Sequence, residues 1–265
     1  MKNQLKQSLI IEIIKVSKDK LNYIYLIVLM GTLLASTIGI DLMGGTKSST
    51  AGYKYLIFSL QSLSVTLLPI ILLAFSCNTI SSEITNGTIR NILVATHSKT
   101  NFLISKVIIS LLFQLLLMFV TGISAILIGH FLCGFGDIAE DGVLLMSKYS
   151  FWITFFKSYF LLFLVLSIST FLGTAIALIL PQNLNALAFS ILLYFALETI
   201  KTPLHIENYV FSSYIDVPLN LLSEQIEGFQ TNWQQKINPL MIVSTAWISL
   251  CLIISFLILK RREFR

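Results

Sequence analysis

Residues 21–40 read LNYIYLIVLMGTLLASTIGI, a run of twenty positions without a charged side chain. As an α-helix it is about 30 Å long, the thickness of a bilayer's hydrocarbon core, and it satisfies its own backbone hydrogen bonds there. It outlasts the ~7–15-residue apolar region of a cleaved leader, so it reads as a span that stays in the protein. Five more apolar runs follow, at about 55–80, 103–130, 153–180, 184–201 and 239–259.

The rest of the composition agrees with that reading. The chain has 265 residues, of which 55 % are hydrophobic and 12 % charged. Its mean hydropathy is +0.84. A soluble fold does not carry several runs of this length, and the runs are continuous rather than alternating, which argues against a β-barrel. The expectation is an all-α integral membrane protein with six transmembrane helices, forming one domain over residues 1–265.

The net charge of +5 needs no nucleic acid to explain it, because basic residues flank spans on the cytoplasmic side. With the N-terminus inside, the inner segments hold Lys2, Lys6, Lys15, Lys18, Lys20, Arg90, Lys99, Lys106, Lys260, Arg261, Arg262 and Arg265. The outer segments hold only Lys47, Lys54, Lys148, Lys157, Lys201 and Lys236. Both termini are therefore expected on the cytoplasmic side of the plasma membrane.

Between the spans, residues 1–20 have a helical period. Leu5, Leu9, Ile13 and Val16 share one face, and Lys6, Glu12, Lys15 and Asp19 lie towards the other. That pattern predicts an amphipathic helix in the inner interface, with its lysines near anionic headgroups. The extracellular segment 202–238 contains VPLNLLSEQIEGF, which predicts a short helix. Phe151, Trp152, Phe155, Phe156, Tyr159 and Phe160 predict an aromatic belt where the fourth span enters, with Lys157 snorkelling. Pro181, Gln182 and Asn183 alone separate the fourth and fifth spans, a tight hairpin.

Several chemistries can be set aside. GGTKSS at 44–49 lacks the glycine directly before the lysine that a phosphate-binding loop needs. Cys77, Cys133 and Cys251 lie far apart in apolar surroundings, and His97, His130 and His205 have no ligand spacing, so no metal site is expected. Asn86-Gly87-Thr88 matches a glycosylation triplet but falls inside the cell. No nucleophile–base pair or paired carboxylates occur within a span, so the chain is not expected to be an enzyme.

One polar stretch remains, SSEITNGTIRNILVATHSKTNFLISK at 81–106. Asn86-Gly87 forms a corner that tolerates positive φ. TIRNILVA at 88–95 then suits two helical turns with Ile89, Leu93 and Val94 on an apolar side and Arg90 as a charge. Lys99 and Lys106 anchor the next span. The pattern E-x-x-x-G-T-x-R-x-x-L, then a basic residue and F-L-x-x-K, resembles the linker between the second and third spans of ATP-binding-cassette (ABC) exporter permeases of the type-2 class. The matching residues are Glu83, Gly87, Thr88, Arg90, Leu93, Lys99, Phe102, Leu103 and Lys106. The layout is similar too: an N-terminal interfacial helix, six spans, a long outer segment and a basic C-terminus. Many members have Pro and then Arg in this loop, where this chain has Thr96-His97-Ser98-Lys99.

The resemblance implies a function. Segment 81–102 would be a cytoplasmic coupling segment, with a short helix seated in a groove of an ATPase subunit. Glu83, Gly87, Thr88, Arg90, Leu93 and Lys99 would be its working residues. Two separate ABC ATPase subunits would bind ATP and Mg, this chain holding no cofactor of its own. The permease would pair with a second copy or a paralogous chain and export an amphipathic substrate, such as an antimicrobial peptide, a drug or a lipid-like molecule. Gln61, Asn185 and Tyr194 are candidates to line the pathway, and helix-to-helix hydrogen bonds account for them equally well. Glu198, three residues before Lys201, reads as half of a local ion pair. Two other functions stand against export: an ATPase-independent secondary transporter or ion channel, for example for sodium extrusion, and a membrane anchor or sensor subunit without transport.

Overall fold

The computed structural model describes all residues except 1, 43–50, 88–98, 133, 141–142, 181, 230 and 262–265. Among the described residues, six helices are long and apolar enough to cross a membrane. The chain is thus a helical protein built for a bilayer. TIRNILVA, with Thr88, Arg90 and Leu93, lies outside the described residues, as do GGTKSS and Cys133.

Helix α1 (Lys2–Lys18) meets α2 (Lys20–Leu42) at Asp19. The Asp19 carboxylate accepts the Leu21 N–H at 3.1 Å and so caps α2. Asn22 Nδ2 and the Tyr23 hydroxyl tighten the corner by donating to the carbonyls of Val16 and Ser17, at 2.7 and 2.9 Å. The second span is α3 (Ala51–Ser62), a π-helical turn (Leu63–Leu67) and α4 (Leu68–Thr85). Then come α5 (Lys99–Leu132), strands β1 (Ile138–Glu140) and β2 (Val143–Met146), α6 (Lys148–Ile179), α7 (Asn183–Ile200), α8 (Val217–Ile226) and α9 (Trp233–Arg261).

The antiparallel β1–β2 hairpin is a departure from the all-α expectation. Its Ile138 is fully buried, the Tyr53 hydroxyl donates to the Gly136 carbonyl before it at 2.5 Å, and Asp137 accepts the Lys148 N–H at 2.9 Å. The hairpin thereby covers one end of the bundle. VPLNLLSEQIEGF supplies α8 at that same end, with Pro218 in its first turn and Leu219, Leu221, Leu222 and Ile226 buried. Nearby, the Tyr214 phenol, pushed up from its ordinary pKa by burial, donates to the Asn208 carbonyl at 3.0 Å.

Helix α6 is the axle. In its most apolar stretch 83 % of residues are buried, against 17 % in α2 and in α7. Its most extensive contact is with α4, where Gly173 lets the helices approach: a Cβ there would sit 3.0 Å from the Leu73 carbonyl oxygen. The expected aromatic belt is split by this position. Phe151 and Phe155 turn inward, Phe151 lying 4.2 Å from the Tyr53 ring. Phe156 and Phe160 face outward. An α-helix that packs on two sides cannot present one aromatic type to a single environment.

Two glycines test this packing in opposite directions. A Cβ on Gly52 would lie 2.2 Å from the Gly134 carbonyl oxygen, whereas one on Gly31 meets nothing within 4 Å. Gly52→Ala should lower stability by about 1–3 kcal/mol through overpacking. Gly31→Ala, in an open helix interior, should raise it by up to about 1 kcal/mol. Thermal unfolding of both variants in the same detergent checks the sign.

Candidate functional site

Helix α4 ends where its backbone turns at Asn86 and Gly87. The Asn86 N–H bonds the Ser82 carbonyl at 2.9 Å and the Gly87 N–H bonds that of Ile84 at 3.2 Å. Gly87 has φ 69°, the left-handed conformation a glycine adopts without strain. The chain leaves α4 here and returns at Lys99, the first residue of α5.

Glu83 stands one turn before that corner and is buried. Its Oε1 accepts from Lys106 Nζ of α5 at 2.6 Å. Lys106, itself fully buried, also pairs with Glu12 Oε2 of α1 at 2.7 Å. Lys15 of α1, half exposed, donates to the same Glu83 oxygen. Among the described residues the cluster holds two carboxylates and two ammonium groups, and it joins α1, α4 and α5. Lys106 also lies 5.6 Å from the centre of the Phe102 ring, a favourable place for a cation.

One expectation is made specific here and one is corrected. Lys106, read as an anchor of the third span, holds it through carboxylates inside the protein. Glu12 does not lie on a polar outer face of α1. It turns inward, and Ile10, Ile11, Ile13 and Ile14 are exposed instead. The reason is the cost of an unpaired buried charge, which exceeds that of leaving isoleucines on a surface that meets lipid. A charge three residues inside an apolar run was the signal that something had to come to meet it.

A second polar seam joins α4 to the start of α7. Ser81 Oγ donates to Asn183 Oδ1 at 2.7 Å, and Asn183 Nδ2 donates to Asn78 Oδ1 at 2.9 Å. The α6–α7 turn is thus fixed to the same end of α4 as the ion cluster. Cys77, buried on α4, points its thiol at the Gly173 carbonyl, 3.3 Å away.

The three pathway candidates do not converge. Asn185 is exposed and its amide donates to Gln182 at 2.6 Å, in the first turn of α7. Tyr194 lies nine residues further on, about 13 Å along the helix. Its buried hydroxyl donates to the Val65 carbonyl at 2.5 Å. That partner follows from sequence: Val65 is four residues before Pro69, which has no N–H to offer the Val65 carbonyl. The backbone there is π-helical, the Leu68 N–H reaching Leu63. Gln61, one turn earlier, donates to Asn220 of α8 at 2.7 Å, and Asn220 in turn donates to Asp216 at 3.1 Å. Gln61 and Tyr194 therefore tie the second span to α8 and α7. Glu198 and Lys201 form the local pair that their spacing predicts, at 2.5 Å.

Removing one member of the buried cluster should unbalance it. Lys106→Met takes the ammonium group away from the buried Glu12 carboxylate and should cost about 3–5 kcal/mol. Lys15→Met, at a half-exposed position, should cost less than about 1 kcal/mol. Chemical denaturation in micelles separates the two values. Tyr194→Phe should cost about 1–3 kcal/mol by stranding the Val65 carbonyl. In a Pro69→Ala background, which restores an N–H to that carbonyl, the penalty should shrink. A double-mutant cycle gives the difference.

No curated protein is significantly similar to the chain. Residues 24–265 match the family described as Protein of unknown function (DUF2705). That match takes in α3 through α9, and the chain belongs to the DUF2705 family.

Proposed function

We propose that this chain is the membrane-spanning permease subunit of an ABC exporter of the type-2 class. It moves an amphipathic substrate out of the cell, driven by two separate ATPase subunits that bind ATP and Mg. The observation that carries this reading is the clamp at the roots of segment 88–98. The resemblance makes that segment a coupling helix, and a coupling helix transmits force only if its roots cannot slide past each other. Glu83 and Lys106, bonded at 2.6 Å, hold the end of α4 against α5, and Glu12 adds α1 to the same rigid group.

In this reading the α1 end of the bundle is cytoplasmic, which places most lysines and all four arginines inside. Gly87 sets the corner by which the chain leaves α4. Thr88, Arg90, Leu93 and Lys99 contact the ATPase. When the ATPase dimer closes, the clamped root of α4 moves, and the π-helical turn at 63–67 lets the second span bend between its two ends. Spans of two permease copies then alternate between inward-open and outward-open states.

The test is co-purification of the cognate ATPase with the wild-type chain and with Arg90→Glu and Gly87→Pro. Gly87→Pro demands a φ near −65° where the chain has 69°. Both variants should insert normally and lose ATPase binding and stimulation. Unchanged binding and stimulation in both would sink the coupling role.

A further inference from the structure

The ion cluster pins α1 to α5 at Glu12, but one turn further on α1 stands away from the bundle. A groove of about 490 Å³ opens between Ile13 and Val16 of α1, Leu26 of α2, and Ile109, Leu112 and Leu116 of α5. That volume falls within the ~300–1,000 Å³ range of small-ligand pockets. The groove begins one turn beyond Lys106. From Ile109 to Leu116 it runs about 10 Å along α5, away from the cluster. Its walls are apolar throughout this depth. Polar atoms gather at its mouth, where Ser17, Asn22 and Tyr23 form the α1–α2 corner.

The charges at the mouth select an occupant. Lys18 directly follows Ser17 and Lys20 stands two residues before Asn22, and both are exposed. The acid between them, Asp19, caps α2 and offsets one of the two charges, leaving a net positive charge. The mouth is therefore cationic and the depth greasy, and the long axis runs from the charged end towards the middle of the bundle. Leu112 and Leu116 are each 46 % exposed, so their outer faces meet whatever fills the groove.

We infer that this groove holds one acyl chain of an anionic phospholipid, with the headgroup against Lys18 and Lys20. The lipid completes the packing of α1 on α2 and α5 that the protein leaves open. The site does not depend on the proposed transport role, because it needs only the α1–α2 corner and the exposed side of α5. A zwitterionic lipid fits the groove but gains nothing from the lysines.

Native mass spectrometry of the full chain tests it, after exchange into micelles doped with phosphatidylglycerol or with phosphatidylcholine. One phosphatidylglycerol should stay bound per chain, at least about tenfold more than phosphatidylcholine, given roughly a kcal/mol per lysine at such a surface. Leu116→Trp, which fills the groove without touching a charge, should abolish retention of both lipids. The pair Lys18→Gln and Lys20→Gln should lower phosphatidylglycerol to the phosphatidylcholine level while leaving the groove intact. Both variants alter exposed positions, and an unchanged melting temperature of the delipidated protein reports that they fold. Equal retention of the two lipids by the wild type overturns the inference. So does full phosphatidylglycerol retention by Leu116→Trp.

Discussion

Lys106 is the residue around which this end of the molecule is arranged. An ammonium group deep in an apolar protein costs several kcal/mol unless carboxylates meet it with good geometry. Glu83 comes from the preceding helix and Glu12 from a helix nearly a hundred residues earlier. Glu12 reaches Lys106 only because α1 lies across the ends of α4 and α5. The ion pairs fix α1 at Glu12 more than its apolar face does, which explains why Ile10, Ile11 and Ile14 are left exposed. In water that arrangement would be costly, but beside lipid tails it is not.

The second span carries the consequences to the far end of the bundle. Its 35 residues make a rod of about 52 Å if straight. One end is fixed through Glu83 and through Ser81 with Asn183. The other is fixed through Tyr53 and Gly136, with Gln61 and Asn220 adding a bond just before the π turn. Between them Pro69 removes a helical N–H, the backbone relaxes into a π turn, and Tyr194 supplies the missing donor. A rod held at both ends and softened in the middle by a side-chain bond from a neighbour has one place where bending is cheap.

Hydropathy alone made the six spans legible, since each run is about as long as the hydrocarbon core is thick or longer and no soluble core needs so many. The glycine corner at 87 was legible too, because few residues other than glycine accept that backbone. The cluster was legible only in part. Glu83 and Lys106 drew attention through their motif, but Glu12 was assigned to a solvated face, and no pairing among the three was foreseen. Helical periodicity reports which residues share a side, not which side faces the bundle, and a pairing partner 94 positions away leaves no local trace. The hairpin at 138–146 was missed for a similar reason: its strands are too short to show alternation, and it is held by Tyr53 and Asp137 rather than by its own sequence.

Polar side chains within the spans divide into two kinds by length. Four threonines satisfy themselves: Thr32, Thr66, Thr199 and Thr245 all donate to carbonyls of their own spans at 2.8–3.2 Å. They can face lipid at little cost, so their exposure does not mark a pathway. Longer groups cannot close on their own backbone and bridge instead. Gln61 reaches α8, Tyr194 reaches Val65, and Gln114 reaches the Phe163 carbonyl at 2.7 Å. A substrate passing Gln61 or Tyr194 would therefore have to replace a bond already made. For the proposed exporter this changes what those residues are. A change of state that separates the second span from α7 or α8 would have to break the bonds from Gln61 to Asn220 or from Tyr194 to Val65. Their strength then sets the balance between the states rather than the affinity for the substrate.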